Sequence, residues 1–372
     1  MGTLTRIGGV LPCVTVSGAP YERGVQKGGL LADMVAVRVD KTLRQMATAV
    51  PRETSRQVAD RFMAVLERRE PEVLEELRGI GDGAGIDWDD LRISAFGAGG
   101  GARIECSVFA ATGPATTDGS LLLGKNGDLG VPFMTEQDAY VAKVTPDHGY
   151  RFIEMGTYPE RVCQPEGMNE RGLTVVGCGQ KPRDGQQAYA TGREVGVSLY
   201  DTMHTIYQHC ATIEDALEVL GEAPRGYTGR TLLIGDATGR FAKVEVTFER
   251  MAVRWPEPQR SYPANFVAAG VSGTFSEPDT WDQVTDIAQR PAAYTRYDRY
   301  MNLLVGRAGS IDVAAGIAIL GDHDPEPGGS SICKHTDGPT LEAYLYQPQS
   351  RTIWAANGHP CQAQFHPIGF DE

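Results

Sequence analysis

"ECSVFAATGPATTDGSLLLGKNGD", residues 105–128, decides how this chain is read. Two runs of strand-forming residues flank Asp118-Gly119, the dipeptide that most strongly signals a tight hairpin. The first run starts at Cys106, directly behind the glycine-rich "GAGGGARIE" of residues 97–105. With the turn centred on residues 118 and 119, Cys106 lies opposite about residue 131. Lys125, Asn126 and Asp128 then return on the neighbouring strand, roughly 10–20 Å along it at about 3.3 Å per residue. A local hairpin thus gathers a thiol, a cation, an amide and a carboxylate.

The sequence changes character at this point. Upstream, "PYERGVQKGGLLADMVAVRVDKTLRQMATAV", "RQVADRFMAVLERR" and "EPEVLEELRGIGDGAGI" carry apolar residues at helical spacing, so 1–105 reads as a helical N-terminal segment. Downstream, period-two runs turn at Asp147–Gly149, Asp236–Gly239 and Pro348–Ser350, with helices expected over about 194–220 and 282–304. Hairpin strands with few helices imply an α+β fold built on antiparallel sheets. Residues 106–372 form the second, β-rich region.

The chain of 372 residues carries a formal charge of −13 and 41% hydrophobic residues. That composition suits a substantial core. The acidic balance argues against nucleic acid, whose binding rests on Lys and Arg neutralising phosphates. No apolar run approaches the roughly 20 residues that span a bilayer, and no signal peptide is evident. The seven cysteines are scattered and never spaced as C-x-x-C, which suggests a reducing, cytoplasmic setting without disulfides. "GDHDPEPGG" (321–329) could hold a metal through Asp322, His323 and Asp324, but its Pro and Gly content reads as a surface loop, and no metal is expected.

A cysteine nucleophile works as the thiolate and needs a base or positive surroundings. Two sources fit. One is a distant histidine among His148, His204, His209, His323, His335, His359 and His366. The other is a new α-amine, with an ordinary pKa of about 7.7–8.0, if the chain is cut before Cys106.

Seven stretches in order carry a family resemblance: "YERGVQKGGLL", "EELRGIGDGAGIDWDDL", the Cys106 hairpin, "PEGMNERGLTVVG", "LLIGDATGRFAKVE", "SICKH" and "IWAANGHPC". Together they resemble the acyl-coenzyme A:6-aminopenicillanate acyltransferase family, the C45 autoproteolytic branch of the N-terminal-nucleophile (Ntn) hydrolases. The resemblance implies an αββα four-layer sandwich of antiparallel sheets flanked by helices. It implies self-cleavage between Glu105 and Cys106, with the 1–105 and 106–372 chains remaining associated. Cys106 would then carry an acyl group cleaved from, or transferred between, amides or thioesters. Asp128 matches the aspartate that orients the Cys106 α-ammonium, and Asn126 the adjacent asparagine. Lys125 falls where relatives carry arginine or glutamine, and Asn265 in "YPANFVAAG" matches an oxyanion-hole asparagine. No cofactor is implied, and acyl-CoA stands as a candidate substrate. The expected partner is a small-molecule amide or acyl donor and acceptor, with no nucleic acid or membrane, and self-association into a homo-oligomer is open. Glu105 replaces the glycine common before the nucleophile, so an uncleaved binding protein or pseudo-enzyme is the alternative.

Overall fold

The computed structural model describes residues 2–97, 104–129, 138–222, 225–256, 263–284, 290–323, 330–336 and 338–371. The chain opens with a hairpin of strands β1 (Thr3–Ile7) and β2 (Leu11–Gly18). The N-terminal segment is therefore not purely helical. Both faces of "LPCVTV" are covered, Val14 and Val16 on the side of the helices and Leu11 and Cys13 on the side between the sheets, and β2 joins the sheet of the second region. Five helices follow: α1 (Pro20–Leu30), α2 (Ala32–Ala47), α3 (Arg52–Arg69), α4 (Pro71–Ala84) and α5 (Trp88–Phe96). Pro20 and Pro71 open α1 and α4, where a missing N–H is harmless.

Helices α1 and α4 pack with backbones almost touching. A Cβ on Gly24 would sit 2.1 Å from the Glu76 carbonyl oxygen, and one on Gly79 would sit 2.2 Å from that of Tyr21. The glycines of "YERGVQKGG" and "LRGIGDGAG" are thus contact residues between helices. The approach buries Arg23 against Glu76, with the guanidinium Nη2 donating to Oε2 at 2.6 Å.

Strands β3 (Ile104–Gly113) and β4 (Gly119–Leu129) form the decisive hairpin. Then come β5 (Tyr140–Pro146), β6 (Phe152–Gly156), β7 (Glu166–Asn169) and β8 (Thr174–Gln180). Helices α6 (Arg183–Ala190), α7 (Leu199–His209) and α8 (Ile213–Glu222) follow. The single helix expected over about 194–220 is therefore two. Thr212 and Asp215 cap the start of α8 reciprocally: Asp215 Oδ2 accepts from Thr212 N at 3.0 Å, and Thr212 Oγ1 accepts from Asp215 N at 3.2 Å. The remaining elements are β9 (Gly229–Gly235), β10 (Phe241–Val246), β11 (Met251–Arg254), β12 (Val267–Val271), α9 (Arg290–Gly306), α10 (Val313–Leu320), β13 (Thr340–Gln347), β14 (Thr352–Asn357) and β15 (His366–Ile368).

Two sheets result. One has the order β1-β2-β5-β6-β7-β8-β9-β10-β11, the other β12-β3-β4-β13-β14-β15. Every pairing is antiparallel except β2 with β5. Three apolar clusters separate four layers. The first joins α2–α5, α7 and α8 to the outer face of the nine-stranded sheet. The second lies between the sheets and includes Cys106, Val108, Leu123, Cys178 and Tyr344. The third joins the six-stranded sheet to α9 and α10 through Phe109, Leu122, Tyr300 and Leu345. This is the αββα arrangement expected from the sequence.

Candidate active site

Cys106 is the third residue of β3, and its backbone pairs with Gly127, with Glu105 opposite Asp128 and Val108 opposite Lys125. The expected partner near residue 131 is corrected to 127. The connection is longer than Asp118-Gly119 alone: Gly113 pairs with Gly119 around residues 114–118, and a bulge follows Ala111. Gly127 is needed opposite the thiol, because a Cβ there would fall 2.4 Å from Glu342 Oε1.

Strand alternation divides the candidate residues between two faces. Cys106 and Lys125 point into the space between the sheets. Lys125 Nζ donates to Glu166 Oε1 at 3.1 Å and to the Gly177 carbonyl at 2.9 Å, and its charge acts on the Cys106 thiol. Arg230 Nη1 stands 3.6 Å from Glu166 Oε1, its guanidinium over the Tyr200 ring. The polar string therefore runs thiol, ammonium, carboxylate, guanidinium. Burial pushes the Cys106 thiol above its ordinary value, with Lys125 opposing and Glu166 and Asp128 adding to the rise. Burial alone would depress Lys125, yet the charges of Cys106, Glu166 and Glu342 outweigh it and hold the ammonium above its ordinary value. Glu342 on β13 completes the group. Burial pushes its carboxyl up to about 7, against the pull of Lys125 and the Tyr344 hydroxyl that donates to it at 2.5 Å.

Asn126 and Asp128 face the other way, toward α9 and α10. Asn126 Nδ2 donates to the carbonyls of Leu320 at 2.9 Å and Ile332 at 3.1 Å, so its amide is held by backbone away from the thiol. Asp128, fully buried, accepts from Arg296 Nη1 at 2.5 Å and from Thr340 Oγ1 at 2.6 Å. The hairpin gathers all four groups, but only the main chain of Cys106 is shared between the two faces.

That main chain is clamped from β12. Cys106 N donates to Ser272 Oγ at 3.0 Å, and Ser272 N donates to the Cys106 carbonyl at 2.9 Å. Gln180, at the end of β8, fixes the turn after Ser272. Its Oε1 accepts from Gly273 N at 2.8 Å, and its Nε2 donates to the Val271 and Thr274 carbonyls at 3.0 and 2.9 Å. Asn265 is corrected. It lies in the short turn Pro263–Phe266 before β12, and the register Val267↔Ala111 to Val271↔Ser107 puts it at the far end of β3. Seven strand positions separate that level from Cys106, roughly 20 Å. Asn265 does not face the thiol.

Sequence reasoning missed Ser272, Glu166, Arg230, Arg296, Thr340 and Glu342. Glu166 sits inside the quoted "PEGMNERGL", but nothing in that stretch announces its ion pair. Of the histidines considered as distant bases, His204 is buried beside Arg23, with 3.2 Å between His204 Nε2 and Arg23 Nη2, and His148 bonds Asp147 and Glu72. Asp322 accepts from Arg299 at 2.8 Å twice, and Asp324 lies outside the described residues.

A four-layer αββα protein with a buried strand cysteine beside a lysine is the class that fold and site define. Residues 115–362 match the acyl-coenzyme A:6-aminopenicillanic acid acyl-transferase family, and the chain belongs to it. The match begins downstream of Cys106. Among solved structures, the chain is similar to the conjugated bile acid hydrolase from Clostridium perfringens, at 15% identity over 72% of this chain and 92% of that one, with a TM-score of 0.46. It is similar to the N-acylethanolamine-hydrolyzing acid amidase ortholog of Caenorhabditis elegans, at 10% identity over 66% and 93%, with a TM-score of 0.44. It is also similar to the penicillin V acylase from Agrobacterium tumefaciens, at 15% identity over 68% and 83%, with a TM-score of 0.44. No curated protein matches. No helix among the described residues is long and apolar enough to cross a membrane.

Proposed function

We propose that this chain is an autoprocessed Ntn cysteine enzyme that cleaves or transfers an acyl group at an amide or thioester bond. The observation that carries the reading is the Cys106 thiol, buried between the sheets against the Lys125 ammonium, with its own N–H held by Ser272.

In the first stage, Cys106 Sγ attacks the Glu105 carbonyl carbon. The acyl group moves from nitrogen to sulfur, which frees the Cys106 α-amine. Water then hydrolyses the thioester to a Glu105 carboxylate and the thiol. In the mature site the α-amine takes the thiol proton as general base. Burial raises the thiol pKa, so that base is required, while Lys125 stabilises the thiolate formed. The thiolate attacks the substrate acyl carbon, the α-ammonium returns the proton to the leaving amine or thiol, and water or an amine accepts the acyl group. Asp128, fixed by Arg296 and Thr340 next to the Glu105–Cys106 level of the ladder, is suited to hold the α-ammonium. The seven free cysteines support a reducing cytoplasmic setting.

One observation favours the non-processing alternative. Strand β3 runs through the scissile bond, with Ile104 and Glu105 paired to Leu129 and Asp128. Cleavage requires those two pairs to open. Mass spectrometry of the purified protein decides: two chains, one starting at Cys106, support processing, and a fully active intact chain overturns it. An electrophilic acyl probe that labels Cys106, and fails on Cys106→Ala, separates an enzyme from a binding protein.

A further inference from the structure

Behind Asp128, on the face away from the thiol, four side chains converge from three separate segments. His323 follows α10, Cys333 and His335 belong to "SICKH", and Cys361 follows β14. Their donor atoms all lie within 4.8 Å of one another. His335 Nε2 is 3.0 Å from His323 Nε2, 3.7 Å from Cys333 Sγ and 3.3 Å from Cys361 Sγ. Zinc bonds of about 2.3 Å to sulfur and about 2.0–2.1 Å to nitrogen place tetrahedral ligand atoms roughly 3.3–3.8 Å apart. Two of the three observed spacings fall within that range, and the third, between the two imidazole nitrogens, is 0.3 Å below it.

The four residues are positioned by their surroundings. Cys333 N donates to the Asp322 carbonyl at 2.9 Å, which ties the segment carrying two ligands to the residue before the third. Gly321 lets Cys361 approach: a Cβ there would stand 3.2 Å from Cys361 Cα. Ser331 Oγ donates to the Cys333 carbonyl at 2.8 Å, and the His359 ring stacks on His335 with centroids 3.9 Å apart. Asp322 is bound to Arg299, so the acidic neighbour does not compete as a ligand. Both cysteines are free thiols.

We propose that His323, Cys333, His335 and Cys361 form a Cys2His2 site for a single tetrahedral divalent transition-metal ion, zinc by donor set. Four protein ligands leave no open position, so the site is structural. Binding converts two neutral thiols to thiolates and releases their two protons, while both imidazoles coordinate in the neutral form. This site is independent of whether Cys106 is cut. It also has a reach toward the candidate active site. The Ile332 carbonyl, one residue from Cys333, accepts from Asn126 Nδ2 at 3.1 Å and from Arg296 Nη2 at 2.8 Å. The metal would brace the segment against which the Asp128–Arg296 pair is set.

The test uses the full-length protein, purified reduced and without chelator. Elemental analysis is expected to find about one zinc per chain in the wild type and little in Cys361→Ser, whose altered side chain is exposed and does not threaten the core. Cobalt(II) added alone to the reduced, metal-free protein is expected to give the visible bands of a tetrahedral cobalt–thiolate centre, lost in Cys333→Ser. A chelator should lower the unfolding temperature of the wild type but not of Cys361→Ser. Absence of zinc together with absence of the cobalt spectrum overturns the site. A Cys333–Cys361 disulfide whose reduction restores no metal binding overturns it equally.

Discussion

Arg296 on α9 donates to Asp128 on β4 at 2.5 Å, and both side chains are buried. The pair sits one ladder position from the main chain of Cys106, on the face its thiol does not use. Asp128→Asn keeps the shape and leaves the guanidinium without its counter-charge. Breaking a buried pair in this way costs about 3–5 kcal/mol. We expect a matching loss in denaturant unfolding, together with a failure to generate a chain starting at Cys106. Unchanged stability and unchanged processing would remove Asp128 from the site.

Lys125 opposes the burial that raises the Cys106 thiol. Lys125→Met should therefore raise the thiol pKa further. Alkylation of Cys106 by iodoacetamide at neutral pH should slow by about tenfold or more and recover as the pH is raised. Lys125→Arg should retain most of the rate. A pH profile that does not move in Lys125→Met would mean that the ammonium does not act on the sulfur.

Ser272 and Asn265 are separated by the register of β12. Ser272→Ala orphans the Cys106 N–H, at a cost of about 1–3 kcal/mol, and should slow labelling of Cys106 by an acyl probe. Asn265→Ala should leave labelling near the wild-type rate. The opposite ranking would show that β12 is misregistered.

Glu342 provides a pH signature. Burial lifts its carboxyl from the usual 4.5 to about 7. The folded protein then keeps a proton that the unfolded chain has released, so native stability falls as pH rises from about 4.5 through 7. Glu342→Gln retains an acceptor for the Tyr344 hydroxyl and removes that titration. Across this window the difference in unfolding free energy, variant minus wild type, should rise toward higher pH by a few kcal/mol, about 3 at most. A difference that stays flat with pH would place the Glu342 titration outside this window.

The parts of this arrangement that were legible in the sequence are the local ones. The Cys106 hairpin could be read because Lys125 and Asp128 lie on the strand that directly follows the turn. Even there the register was four positions out, because a five-residue connection and a bulge cannot be told from an Asp-Gly turn by pattern. The division of Lys125 from Asn126 and Asp128 follows from alternation once the register is known. Ser272, Arg296, Thr340 and Glu342 come from strands and a helix more than 140 residues downstream of Cys106, and only tertiary pairing brings them in. The four proposed metal ligands span residues 323–361 without a repeated spacing, which hid them behind a loop of Pro and Gly.

The parallel pairing of β2 with β5 has a consequence for how the molecule is assembled. Residues 11–18 are stitched onto β5, so that β1 and β2 form one side of a sheet whose other seven strands belong to the second region, and Lys27 is buried against Glu154 at 2.8 Å across the same divide. A chain cut before Cys106 would stay together on dilution, because the N-terminal piece is part of the scaffold. Its unfolding, however, would change molecularity. The intact chain refolds at a rate independent of its concentration, while the cut protein would need two fragments to meet. Refolding that slows in proportion to dilution, in processed protein but not in Cys106→Ala, is the kinetic trace such a cut leaves.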